Sequence, residues 1–207
     1  MPERNALCVD CGAGTTGTAN VLASTYEHSI ALDINPVHGH CEPNVRKVAG
    51  SANHLRFEEG SVDLLISIQA FHNFDRDKHL SEALRVLRPG GVFAALCWGE
   101  VDIPAPVKHA YTPVFEAIDP CWETARADVM AGYPGISIPG EAMTLPETYR
   151  SHWFDLDQFE RYLATWSGLQ AALSAGVEIP EPKDNDLERI DHVFELRWPL
   201  IGKVFRV

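Results

Sequence analysis

Along the first hundred residues the apolar positions switch regularly between two spacings. Ala6 to Val9 is a continuous apolar run, the pattern of a strand covered on both faces. Ala19, Leu22, Ala23 and Tyr26 follow at i, i+3, i+4 and i+7, which is one face of a helix starting near Thr16 or Gly17. Ser29 to Leu32 is a second apolar run, so the chain is predicted to open with a βαβ unit. Pro36, Gly39 and Pro43 interrupt any helix between Asn35 and Val48, and that edge of the sheet is expected to be short or irregular. Val62 to Ile68 reads as a further buried strand. Leu80, Ala83, Leu84 and Leu87 then form a helical stripe ended by Pro89, Gly90 and Gly91, and Val92 to Trp98 is apolar enough for a strand covered on both faces.

Strands alternating with helices predict an α/β fold with a doubly wound, mostly parallel sheet. From Gly99 to Thr148 the chain is rich in proline and glycine, and residues 99–154 read as an insertion after the fifth strand that shapes a substrate pocket. Tyr133, Tyr149, His152 and Trp153 are candidates to line it or to pack as satellite core. A helix beginning near Asp155 carries Phe159, Tyr162, Leu163 and Trp166 on one face. Leu187, Ile190 and Phe194 fit another helix face, and Trp198 to Val207 a closing strand. The 207 residues are predicted to make a single domain.

The first strand and helix are joined by Asp10-Cys-Gly-Ala-Gly-Thr-Thr-Gly17. Gly12, Gly14 and Gly17 match GxGxxG, a turn that lets a backbone approach a nucleotide-like cofactor closely. Asp33 ends the second apolar run, at about the 20-residue offset where an acid accepts ribose hydroxyls. The glycines alone leave a dinucleotide and S-adenosylmethionine (SAM) both open. Asp10 favours SAM, because an acid there opposes a pyrophosphate and suits a cationic amino group.

The segments Val62 to Asp75 and Leu84 to Phe93 resemble later motifs of the class I SAM-dependent methyltransferases. Gln69-Ala-Phe-His-Asn-Phe-Asp75 is similar to the "QAxHWFD" segment of that family's trans-aconitate methyltransferase-like and ubiquinone-biosynthesis-like small-molecule branch, Gly50 to Phe57 to its "GDAExLPF", and Phe159 to Ser167 to its "YLxTWS". The resemblance implies a Rossmann-like domain that binds SAM and methylates a small molecule. It places Asp10, Gly12 and Gly14 at the methionine part of SAM, with Thr16 where a third glycine is common and Gly17 taking that role one position late. It puts Asp33 at the ribose and Ile34 beside the adenine. Ser51 stands in for an acid at the adenine amino group, Ala52 packs on the ring, Asn53 assists, and Gln69 and Ala70 line the methyl-donor side. His72, with an ordinary pKa near neutrality, is the candidate base or orienter. For a carboxylate acceptor, Arg150 and Arg161 are available cations.

Seventeen cations against 29 acids give a net charge of −12, which repels nucleic acid and anionic membrane surfaces. No apolar stretch is long enough to span a bilayer, and a cytoplasmic protein acting on a small molecule is expected. Cys8, Cys11, Cys41, Cys97 and Cys121 lack disulfide-scaffold spacing and fit a reducing compartment. His38, His40 and Cys41 carry ligand-type groups, but a polar loop is the expected reading and no metal is predicted. Only about five residues precede the first strand, where the resemblance implies helices closing over SAM; a homodimer that covers the cofactor is therefore expected. The same shortness motivates the alternative of a SAM-fold protein without methyl transfer, either a cyclase-like enzyme or a binding subunit. A nicotinamide-dependent oxidoreductase is the remaining alternative. It lacks support from any Tyr-x-x-x-Lys pair.

Overall fold

A computed structural model of the chain describes residues 5–37, 39–183 and 192–207. Two compact units divide these residues. The first runs to Trp98 and adds Ala131–Pro146 and the chain from Ile201; the second is made of Gly99–Met130 and Glu147–Leu200.

The first unit is built on a mostly parallel sheet. β1 (Leu7–Cys11) lies between β2 (His28–Asp33) and β4 (Val62–Ile68), β3 (Val45–Ala49) flanks β2, and β5 (Leu87–Trp98) flanks β4, all four pairings being parallel. The order continues from β5 to the last residues of β8 (Phe194–Arg206) and to β6 (Glu141–Met143), which pairs antiparallel with β8. This is the α/β class that the alternating pattern predicts and the Rossmann-like domain that the resemblance implies. Six of the seven residues of β4 are buried, which is why its sequence is apolar without alternation. Its one acid, Asp63, is satisfied by accepting the Ala6 and Leu7 amides at 3.0 and 2.8 Å and by pairing with Arg88, and it braces the start of β1.

Several elements differ from the periodicity. α1 (Gly17–Leu22) stops a turn before Tyr26. No helix joins β2 to β3 among the described residues, as Pro36, Gly39 and Pro43 predict. α2 (Arg76–Val86) buries His79, Ala83 and Val86, whereas Leu84 is 38% exposed. The spacing of 79, 83 and 86 fits a helix face equally well, and only a histidine counted as polar hides it. Pro89, Gly90 and Gly91 do not end α2; they form a register shift within β5, between the pairs Val62–Leu87 and Leu64–Val92. Tyr133 is fully buried with φ 58° and packs edge-on against Phe71 at 5.1 Å, so it is core.

The second unit holds α3 (Ala105–Ala110), α4 (Thr112–Ile118), α5 (Ala125–Met130), β7 (Tyr149–Phe154), α6 (Leu156–Leu163) and α7 (Ser167–Ser174). α6 starts with a capping box, in which Asp155 accepts the Gln158 amide at 2.7 Å and Gln158 accepts the Asp155 amide at 3.0 Å. It buries Phe159 and Leu163, as its periodicity predicts. β7 pairs antiparallel with Phe194–Pro199, so Phe194 begins a strand and not a helix; Leu187 and Ile190 lie outside the described residues. Tyr149 and Trp153 are exposed on β7. Among the described residues, no helix is long and apolar enough to cross a membrane.

Candidate cofactor site

β1 delivers its carboxyl end into a turn of alternating handedness. Gly12, Gly14 and Thr16 have φ of 76°, 50° and 71°. The Gly12 and Ala13 amides donate to the Leu32 carbonyl at 2.8 and 3.1 Å, which ties the turn to the end of β2. A Cβ at Gly12 would lie 2.4 Å from Ala70 Cβ and 3.3 Å from the Phe74 ring, so only glycine fits there. Gly14 donates to Asp33 Oδ2 at 2.9 Å, and the Asn35 amide donates to Oδ1 at 2.8 Å, so both carboxylate oxygens are held.

Over this turn opens a cavity of about 610 Å³ at the carboxyl ends of β1 to β4. The glycine turn supplies Gly12, the end of β2 supplies Asp33 and Ile34, the chain after β3 supplies Ser51, Ala52 and Asn53, and the chain after β4 supplies Gln69 and Ala70. In an open parallel sheet this is the usual position of a ligand crevice. Ile34 is 70% exposed, an apolar side chain left facing solvent beside a polar rim. Gln69 holds φ 59°, with its amide bonded to the Leu96 carbonyl at 3.0 Å. Strained non-glycine backbone of this kind gathers at functional sites.

Beneath the turn, Asp10 is 2% exposed and its Oδ2 has no hydrogen-bond partner among the described residues. Burial raises its carboxyl to about 7; the Asp33 charge pushes the same way, and a backbone hydrogen bond at Ala19 opposes them.

Residues 9–95 match the family described as methyltransferase domain. Over this part the chain is similar to methyltransferase domains. An uncharacterized methyltransferase-like protein of Schizosaccharomyces pombe is 35% identical over 109 residues, covering 50% of this chain but only 42% of that relative. A Dictyostelium discoideum protein named as a methyltransferase is 28% identical over 198 residues, covering 90% of this chain and 74% of its own length. A solved structure described as a type II methyltransferase, from Anaeromyxobacter dehalogenans, is 26% identical with a TM-score of 0.76, covering 98% of this chain and 90% of that one.

Of the residues singled out from sequence, eight border one cavity, whereas four do not. Asp10 lies beneath the turn. Gly14 acts through its amide on Asp33. Gly17 does not replace the third glycine: Thr16 itself takes the left-handed conformation, with its hydroxyl bonded to the His40 carbonyl at 3.1 Å, and Gly17 merely begins α1. His72 sits in the short 3-10 turn Phe71–Asn73 beside the cavity, and its Nδ1 is 3.1 Å from the Tyr133 hydroxyl. The Ser51 hydroxyl accepts the Asn53 amide at 3.1 Å, and Asn53 Oδ1 accepts the Asp75 amide at 3.1 Å.

Asn35, Gly50, Asn73 and Phe74 also line the cavity and were not foreseen. Asn35, Gly50 and Asn73 each adjoin a predicted residue, and Asn73 and Phe74 lie within the Gln69 to Asp75 motif. His38 lies outside the described residues, and among the described residues no three metal-ligating side chains converge. Burial pushes the Cys8 and Cys11 thiols up, so neither is poised as a reactive thiolate.

Proposed function

We propose that the protein transfers the methyl group of SAM to a small-molecule acceptor, with SAM held in the cavity over the Gly12 turn. The observation that carries this is the convergence of Gly12, Asp33, Ser51 to Asn53 and Gln69 on one crevice at the strand ends. Two features of the chain fit the cofactor. Gly12 leaves a cradle that a Cβ would fill, and Asp10 carries a buried carboxylate oxygen, without a partner among the described residues, that is suited to an ammonium group.

In this reading Asp33 reads the ribose hydroxyls. Its oxygens are already oriented by the Gly14 and Asn35 amides and keep lone pairs for further bonds. Ile34 and Ala52 offer apolar surface to the adenine, and Asn53 and Ser51 offer polar groups at its edge. When bound, SAM supplies an electrophilic sulfonium methyl, so the chemistry asks the protein mainly to align a nucleophile and exclude water. His72 takes or orients the acceptor's proton, with its ring fixed by the Tyr133 hydroxyl.

The acceptor class we propose is a small hydroxyl or carboxylate compound. The net charge of −12 disfavours nucleic acid, and Gln69 to Asp75 is similar to the small-molecule branch. Selection of the acceptor is assigned to residues 99–154. Incubating the protein with methyl-labelled SAM and a panel of small hydroxy and carboxylic acids tests the proposal. Label transfer with release of S-adenosylhomocysteine is expected. SAM binding without turnover on any such acceptor would favour a binding subunit.

A further inference from the structure

One wall of the cavity has no regular structure of its own. Between the end of β3 at Ala49 and the start of β4 at Val62 there is neither strand nor helix, yet this stretch carries Ser51, Ala52 and Asn53. Backbone groups in such a segment need partners from elsewhere.

They find them along a single row of α2. His79 Nδ1 lies 2.8 Å from the Ala52 carbonyl. Glu82 Oε2 accepts the Leu55 amide at 2.6 Å. Arg85 donates from Nη2 to the Leu55 carbonyl at 2.6 Å and from Nη1 to the Phe57 carbonyl at 2.9 Å. Residues 79, 82 and 85 are three apart and so neighbour one another along the helix. Arg85 and Glu82 also grip each other, Nε to Oε1 at 2.8 Å and Nη2 to Oε2 at 2.9 Å, which fixes the forks that meet the loop. At the helix start the tie runs the other way, since Asn53 Oδ1 accepts the Asp75 amide.

His79 is the residue of the row that bonds directly to a cavity-lining residue. A carbonyl can only accept, so Nδ1 carries the proton that meets Ala52. The ring is fully buried among Phe74, Phe71 and Phe93, with centroids at 4.8, 5.8 and 6.0 Å, and its Nε2 has no partner among the described residues. A polar side chain is thus kept in an aromatic cluster where an apolar one would pack without an orphaned nitrogen. What it gives in return is the bond to Ala52, and Phe74, whose ring is tilted against it, lines the same cavity.

We propose that His79, Glu82 and Arg85 are positioning residues: a splint on α2 that presets the Ser51 to Asn53 wall in its ligand-ready conformation. None of the three lines the cavity, so the effect on binding passes through the loop backbone. A preset wall has less conformational freedom left to lose when a ligand settles. The proposal rests on the assignment of the cavity to SAM.

The test combines SAM titration by calorimetry, thermal melting and amide hydrogen exchange on the full chain. His79→Leu, which fills the space without a donor, is expected to stay folded, to bind SAM about tenfold more weakly and to expose the 52–57 amides to exchange. His79→Asn, whose side-chain amide can restore a donor to Ala52, is expected to recover binding to within about threefold. Arg85→Met provides a second arm, in which the Leu55 amide loses protection while amides of β1 and β4 keep theirs. Unchanged SAM affinity in a folded His79→Leu protein, or equal losses in His79→Leu and His79→Asn that merely track melting temperature, would overturn the splint. So would unchanged exchange at Leu55 in Arg85→Met. Failure of the wild-type protein to bind SAM would instead sink the cofactor assignment, and the exchange arm would still decide the splint.

Discussion

The Asp33 carboxylate accepts the Gly14 amide at 2.9 Å, so the acid at the end of β2 holds the turn at the end of β1. A side chain assigned to the ribose is therefore also a brace for the backbone that meets the rest of the ligand. Asp33→Ala removes this bond and the one from the Asn35 amide together. SAM affinity is expected to fall about 10- to 100-fold and stability by about 1–3 kcal/mol. Asp33→Asn keeps one acceptor oxygen and should fall between the two, as read by calorimetry and melting.

Gly12 and Gly14 both have left-handed φ, but only Gly12 is also crowded. Gly12→Ala drives a methyl to 2.4 Å from Ala70 and should cost on the order of 2–4 kcal/mol, with loss of SAM binding. Nothing lies within 4 Å of a Cβ at Gly14, so Gly14→Ala should cost only the backbone strain, about 1–2 kcal/mol. Equal effects in chemical denaturation would contradict this account of the turn.

Asp10 sets a pH dependence whose sign follows from its raised pKa. The folded value is about 7 against an ordinary 3.8, so the charged form is disfavoured in the fold. The group is neutral in both states well below 3.8, and a penalty accumulates as pH rises from 3.8 to the folded value of about 7 and then levels off. Asp10→Asn should then stabilise the ligand-free protein at about pH 8 by on the order of 2–4 kcal/mol and hardly at about pH 4. A cationic ligand favours the ionised carboxylate, so wild-type SAM affinity should strengthen from about pH 6 to about pH 7.5 with proton release, and Asp10→Asn should flatten that profile.

His72→Ala should lower kcat about 100-fold while leaving SAM affinity within about twofold, since the ring stands beside the cavity and not in it. Tyr133→Phe, which removes the hydroxyl 3.1 Å from Nδ1, should lower kcat less and shift the pH profile. Full turnover of His72→Ala across pH would remove the histidine from the mechanism.

Glycine at 12, the acid at 33 and the buried runs of β1, β2, β4 and β5 were legible because each answers to local geometry: a turn, a strand end, a strand covered twice. Tertiary chemistry hid the rest. His79 counts as polar in any periodicity, yet it is fully buried by an aromatic cluster and a carbonyl 27 residues away. Glu82 and Arg85 carry no signal in the apolar spacing, and only the fold shows the loop they hold. Thr16 displaced Gly17 because hydrogen bonding to His40 stabilises a left-handed threonine that steric preference alone disfavours. The ends of α1 and α2 were missed by a turn or less, because apolar spacing continues where hydrogen bonding does not.

The most direct test of the central claim is calorimetric titration of the intact protein with SAM, run against Asp33→Ala and with NADH as the competing ligand. One-site SAM binding that weakens at least about tenfold in Asp33→Ala, with no heat from NADH, is the predicted result. SAM binding undiminished in the folded variant, or NADH bound in preference to SAM, would contradict it.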